Sequence, residues 1–180
     1  MIKYLLNKQI LAMKSQYQYD VRYMEDIIAA DLPAFLKYWG FTTMSSHRAH
    51  VPMAPLFAAR IRTLISEDCG PCIQLAIDMA LEAGIDTTTI THIVSNQKDK
   101  VSEEVALAML FTDLVLAHDP GADLLRERIV QLWGQSGLIT LGFSISAYRV
   151  FPTLKYALGY GQTCQQLKIN DSAILPNHIS

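Results

Sequence analysis

At 180 residues the chain is long enough for one domain with a proper core, or for a domain with an extension. Charged residues make up 18% of it, against about 25% in ordinary soluble domains, hydrophobic residues make up 51%, and the formal charge is −2 with no basic block. Nucleic acid is therefore disfavoured as a partner, because phosphate binding needs concentrated positive charge, and the apolar composition asks for a large buried fraction or an oligomer interface.

The opening "MIKYLLNKQILAMK" is apolar in places, but Asn7, Lys8 and Gln9 interrupt it, so it does not read as a signal peptide. "YDVRYMEDIIAA" carries Val21, Met24, Ile27 and Ile28 at helical spacing. Asp31 can cap a short helix with Pro33 in its first turn and Gly40 at its end. "TTMSSHRAHVP", from Thr42 to Pro52, reads as a polar loop. It divides an N-terminal helical extension, residues 1–50, from a main helical domain, residues 51–180.

Pro55 opens "PLFAARIRTLIS", with Phe57, Ile61, Leu64 and Ile65 on one helical face. After "EDCGPC", the segment "CIQLAIDMALEAG" runs as a helix to Gly84, a natural stop. "IDTTTITHIVS" fits a short helix capped by Asp86, although its β-branched residues leave a strand open. "SEEVALAMLFTDLVLAHDPG" has a Ser102 cap, acids in its first turn and Pro120-Gly121 as terminator. Its middle, "ALAMLF", is apolar on all sides and predicts a central, buried helix. "ADLLRERIVQLW" is amphipathic, and "GLITLGFSISAYRVF" and "PTLKYALG" read as two closing helices. The apolar run from Gly137 to Tyr148 is about a dozen residues, whereas a membrane span needs about 20. It predicts a packing surface. No segment alternates convincingly, and the fold expected is all-α.

Cys69-Gly70-Pro71-Cys72 is the stretch that carries chemistry. Two cysteines three residues apart can share the first turn of a helix, near enough to form a disulfide. Unpaired N–H groups and the positive end of the helix dipole there favour the thiolate. Proline before the second cysteine suits a first turn, where its missing N–H is not needed. Three other readings compete. A thioredoxin-like fold needs a buried strand before the motif, but Asp68 and a helical segment precede it. A zinc site needs two more ligands, and His47 and His50 lie in a polar loop without a carboxylate. The pair can also be structural, two small buried residues. An odd cysteine count, with two close together and Cys164 alone, fits a reducing, cytoplasmic setting better than a disulfide framework.

"CGPCIQLAIDMALEAGID", "TTTITHIV", "EEVALAMLFTDLVLAHDPG" and "LITLGFSISAYRVFPTLKYALG" follow one another in an order that resembles the alkylhydroperoxidase D–like and carboxymuconolactone decarboxylase superfamily, from Pro55 to about Gly159. The resemblance implies a helical bundle, a homo-oligomer, and a dithiol oxidoreductase or peroxidase drawing on a thiol or dithiol reductant, without cofactor or metal. Other members are lyases that lack the dithiol as an active pair. A third possibility is a helical assembly or binding protein that kept the fold and lost the chemistry. Redox members pair the dithiol with a histidine four residues after the second cysteine and a glutamate about a dozen residues before the first. Those positions are Ala76 and the neighbourhood of Phe57 here.

The face shared with Cys72 comprises Leu75, Ala76 and Met79, with Asp78 well round the helix. Candidate site residues are therefore Cys69, Cys72, Glu67 and Asp113. Glu67 and Asp68 flank the thiols. Asp113 is a carboxylate in an apolar helix, suited to acid–base work if unpaired and otherwise bonded to a cation such as Arg60 or Arg62. His92 and His118 sit near helix ends and suit local capping. With no relay on the Cys72 face, the expectation is that Cys69 is the acidic, accessible thiol and Cys72 its buried partner. Exchange with thiols should then outpace reaction with peroxide.

Overall fold

The computed structural model describes residues 2–162, 167–169 and 172–177. Eight α-helices account for most of the described chain: α1 (Ile2–Tyr17), α2 (Arg22–Ala30), α3 (Leu32–Ser46), α4 (Met53–Ser66), α5 (Gly70–Glu82), α6 (Thr87–Val94), α7 (Glu103–Leu116) and α8 (Ala122–Ala157). The all-α expectation holds. A small antiparallel pair, β1 (Leu167–Ile169) and β2 (Ser172–Ile174), is the addition to it, with Leu167 opposite Ile174 and Ile169 opposite Ser172.

Several predicted caps form. The Asp31 carboxylate accepts from the Ala34 amide at 3.0 Å and starts α3. Asp86 accepts from the Thr89 amide at 2.8 Å and the Thr89 hydroxyl at 2.7 Å, which settles that segment as a helix. Gly84 takes a φ of +82° just past α5, where a side chain would be strained.

Other boundaries move. α3 runs through Gly40 to Ser46, because the hydroxyls of Thr42, Ser45 and Ser46 bond carbonyls three residues back instead of opening a loop. The connection to the main domain shrinks to residues 47–52. α7 ends before Pro120, at Leu116, with Ala117 as its C-cap and His118 turned left-handed at φ 55°. The two predicted closing helices are one, since α8 passes through buried Pro152 and loses one ladder bond there. The break in α8 comes earlier, at Gly134, with φ 70° and ψ 177°.

The central helix is α4 rather than α7. Every residue of α4 from Pro55 to Ile65 is buried, with α5, α6, α7 and α8 packed around it. α7 leaves Leu110 exposed. Around α4, Ile61, Ile65, Ile73, Ile77, Ile90 and Met109 form the main core, joined by Leu167 and Ile169 from β1. The extension has its own aromatic cluster of Tyr19, Tyr23, Phe35 and Tyr38, closed by Phe151 and Leu154 of α8 and Leu75 of α5.

Asp113 meets the cations that its burial demands. Its carboxylate accepts from Arg62 Nε at 3.0 Å and faces Lys98 Nζ at 2.8 Å, and Arg62 also donates to the Asn177 carbonyl at 2.9 Å. Of the two arginines expected as partners, Arg62 fills the role. Removing the carboxylate strands a fully buried guanidinium. Asp113→Ala should therefore cost about 3–5 kcal/mol in urea unfolding, and adding Arg62→Met should recover much of it. Independence of the two changes would contradict the pairing.

Candidate functional site

α4 ends at Ser66, and three residues turn the chain into α5. Asp68 makes that turn with φ 49°, a conformation aspartate tolerates better than most residues. Cys69 is the N-cap of α5 and Cys72 lies in its first turn, with Pro71 between them. The two are joined as a disulfide with Cα atoms 5.2 Å apart. One unpaired amide of this helix end is occupied, since Gly70 N–H donates to the Gln162 carbonyl at 3.2 Å. The Gln74 side chain fastens β1 to α5 by bonding both the amide and the carbonyl of Lys168, at 2.8 and 2.9 Å.

The exposures reverse the expected order. Cys69 is completely buried, whereas Cys72 is 4% exposed and lines a cavity of about 610 Å³. The reason is tertiary: both cysteines belong to the main core, but only Cys72 also borders the cavity, which opens towards the extension. The cavity lies between α2 and α3 on one side and α4, α5 and α8 on the other. Phe57 and Ala76, at the two relay positions, are both on its wall.

A polar group does reach Cys72, and it comes from the extension. The Tyr19 hydroxyl lies 4.0 Å from Cys72 Sγ. A disulfide sulfur has no hydrogen to give, so the phenol is the donor in this contact. Behind it, Lys155 Nζ donates to the Tyr19 oxygen at 3.3 Å. Lys155 is 2% exposed and stands over the rings of Tyr19 and Tyr23 at 4.6 and 5.4 Å. Burial lowers the Lys155 amine below its ordinary pKa, and Asp20 partly opposes that. Burial raises the Tyr19 phenol from 10.0 to about 12, with Tyr23 pulling the other way and Asp20 adding to the rise. The Tyr23 and Tyr38 hydroxyls are bonded to each other at 2.9 Å, and burial raises both.

The other sequence candidates do not line this cavity. Glu67 caps the C-terminal end of α4, where the helix dipole disfavours an acid, and Arg149 of α8 compensates with a 2.7 Å ion pair. Its second oxygen accepts from Thr153 at 3.4 Å, so it faces α8 and not the cavity. Asp113 is held in the Arg62–Lys98 cluster and does not line the cavity either. The structure thus brings Cys69 and Cys72 together, and neither carboxylate lines the cavity beside Cys72. His47 accepts or donates with Thr140 at 3.0 Å, His92 with Gln97 at 2.7 Å, and the described residues hold no cluster of three metal-ligating side chains. Cys164 lies outside the described residues.

Tyr19 and Lys155 were not among the candidates. Lys155 had a signal: it falls four residues after Phe151 and seven after Tyr148, a cation on an apolar helical face. Tyr19 sits between helices and carried none.

Fold and site together define an all-α protein with a helix-start dithiol opening on an apolar cavity. No described helix is long and apolar enough to cross a membrane. Compared with family models, curated proteins and solved structures, the chain matches none.

The buried phenols set an alkaline limit on stability. A phenol with a raised folded pKa stays protonated where the unfolded chain has already lost its proton. Its contribution is complete below pH 10 and lost as the pH rises towards 12. Absorbance titration of the folded protein should show tyrosines that resist ionisation past pH 10, and Tyr19→Phe should flatten part of the alkaline fall in stability. Ordinary ionisation of every tyrosine in the folded state would contradict this environment.

Proposed function

We propose that this protein is a thiol–disulfide oxidoreductase, working through Cys69 and Cys72 in a helical bundle of the alkylhydroperoxidase D–like kind. The observation that carries the reading is the chain Lys155–Tyr19–Cys72, with steps of 3.3 and 4.0 Å, at the wall of a cavity. It supplies a hydrogen-bond donor and a cation to the sulfur whose helical neighbour at the family's relay position is Ala76.

The chemistry follows from which sulfur is reachable. An incoming thiolate enters the cavity and attacks Cys72 Sγ. The S–S bond breaks, and its electron pair leaves on Cys69, at the positive end of α5. A second thiolate, or the partner thiol of the same dithiol reductant, then attacks the reductant's sulfur in the mixed disulfide. The reductant leaves oxidised by two electrons, and Cys72 leaves as a thiolate. The Tyr19 hydroxyl donates to that thiolate, and the Lys155 ammonium behind it holds the phenol in the donating orientation. Both thiolates take protons from solvent when the pH permits.

Tyr19, with its pKa near 12, is a donor at neutral pH and not a base. Peroxide needs a base to accept its proton, so exchange with thiols should be the faster reaction. Self-association belongs to the same reading. Much of the Gly137–Tyr148 run is spent inside the chain, with Leu141, Ile145 and Ala147 buried. Leu124, Leu132, Ile139 and Phe143 remain exposed along α8 for contact with a second copy.

Equilibration with glutathione and dithiothreitol buffers tests the function. The pair should interconvert reversibly, with a midpoint between about −180 and −300 mV, the range of cellular dithiols. A disulfide that stays closed in the folded protein throughout that range would sink the oxidoreductase reading and favour a non-enzymatic helical binding protein.

A further inference from the structure

Three charged side chains stand on the cavity wall among the described residues. Arg48 and Glu82 are exposed, whereas Arg60 is only 6% exposed. Arg60 Nη2 donates to the Ser45 carbonyl at 2.6 Å, at the C-terminal end of α3, and the guanidinium stands over the rings of Phe57 and Tyr148 at 4.9 and 5.2 Å. Its Nε has no acceptor, and no carboxylate among the described residues lies within ion-pair distance. A carbonyl and two ring faces do not neutralise a full charge, and a buried cation without a counter-ion is costly. Accordingly, burial lowers the Arg60 pKa, with Tyr148 opposing and Arg48 adding repulsion. Arg62, two residues further along α4 and fully buried, has the Asp113 carboxylate that Arg60 lacks.

The rest of the wall is of the opposite character. Met24, Met53, Met79, Leu64 and Leu75 line it, and unbranched thioether side chains adapt to a flexible apolar guest. About 610 Å³ falls within the range of about 300–1,000 Å³ occupied by small-molecule sites. The chemistry that fits is one anionic group on an apolar body. One uncompensated cation suits a monoanion, since a dianion would bring in a second unpaired charge.

We propose that the cavity binds an amphiphilic monocarboxylate, its carboxylate paired with Arg60 and its unbranched hydrocarbon chain lying along the methionine- and leucine-lined walls beside Cys72. The site requires no thiol chemistry and therefore goes beyond the oxidoreductase reading. Binding is expected with the disulfide intact.

The experiment is calorimetric titration of the oxidised full chain with decanoate and with 1-decanol, both below the concentrations at which they aggregate. Wild type should bind decanoate at least tenfold more tightly than the alcohol. Arg60→Gln should bring decanoate down to the alcohol's affinity and leave the alcohol unchanged. Equal affinities of wild type for acid and alcohol, or no binding of decanoate, would overturn the proposal. If Arg60→Gln does not fold by circular dichroism, the acid-to-alcohol ratio in wild type decides alone. Because the disulfide stays closed throughout, an inert dithiol leaves this result unaffected, and a working dithiol cannot rescue a failure here.

Discussion

The ammonium of Lys155 is enclosed by the protein, where it meets the Tyr19 hydroxyl and the faces of Tyr19 and Tyr23 and has Asp20 as its electrostatic counterpart. A buried charge is expensive to a fold unless such partners stay in place. The position of the extension follows from this constraint. Tyr19 and Tyr23 must stay over α8, and with them the aromatic cluster that includes Phe35 and Tyr38. That cluster forms one wall of the cavity, so a single buried amine ties the N-terminal helices to the face on which Cys72 opens.

The dithiol itself is positioned by ordinary helix-start physics. Asp68 turns the chain, Cys69 caps α5, Pro71 occupies a place where its missing N–H is not needed, and Cys72 follows in the same turn. What ordinary helix physics does not decide is which sulfur is reachable. Cys69 is fully buried in the main core, and the cavity opens beside Cys72. The two cysteines thereby acquire different surroundings: the end of a helix dipole for one, a phenol backed by an amine for the other. In the disulfide exchange we propose, that asymmetry would separate the attacked sulfur from the leaving sulfur.

Much of the fold was legible because it rests on local signals. Asp31, Asp86 and Ser102 bond amides of the helices they cap, and Gly84 ends α5 in a left-handed turn. Signals that compete locally were harder to weigh. Thr42, Ser45 and Ser46 look like loop residues until their hydroxyls are seen bonded within α3, and Pro152 looks like a helix end until its neighbours hold α8 together by packing. Centrality was misplaced onto α7 because its apolar run is the more conspicuous, while α4 carries Arg60 and Arg62 into the interior and conceals its own burial. The site divides in the same way. Cys69 and Cys72 announce themselves by spacing. Tyr19 reaches Cys72 across 53 positions of sequence and Lys155 reaches Tyr19 across 136, contacts that only tertiary packing creates. Glu67 and Asp113 stood out as carboxylates near the motif or in an apolar helix, and both turned out to be matched to arginines.

The central claim is that the extension and α8 equip Cys72, and not Cys69, for reaction. Alkylation by iodoacetamide at neutral pH tests it most directly, on reduced Cys69→Ser and Cys72→Ser proteins, each with and without Lys155→Met. Cys72 should be the faster thiol, and loss of the Lys155 amine should slow it roughly tenfold, the effect of about one pKa unit, while leaving Cys69 unchanged. A faster Cys69, or a Cys72 rate indifferent to Lys155, would contradict the account.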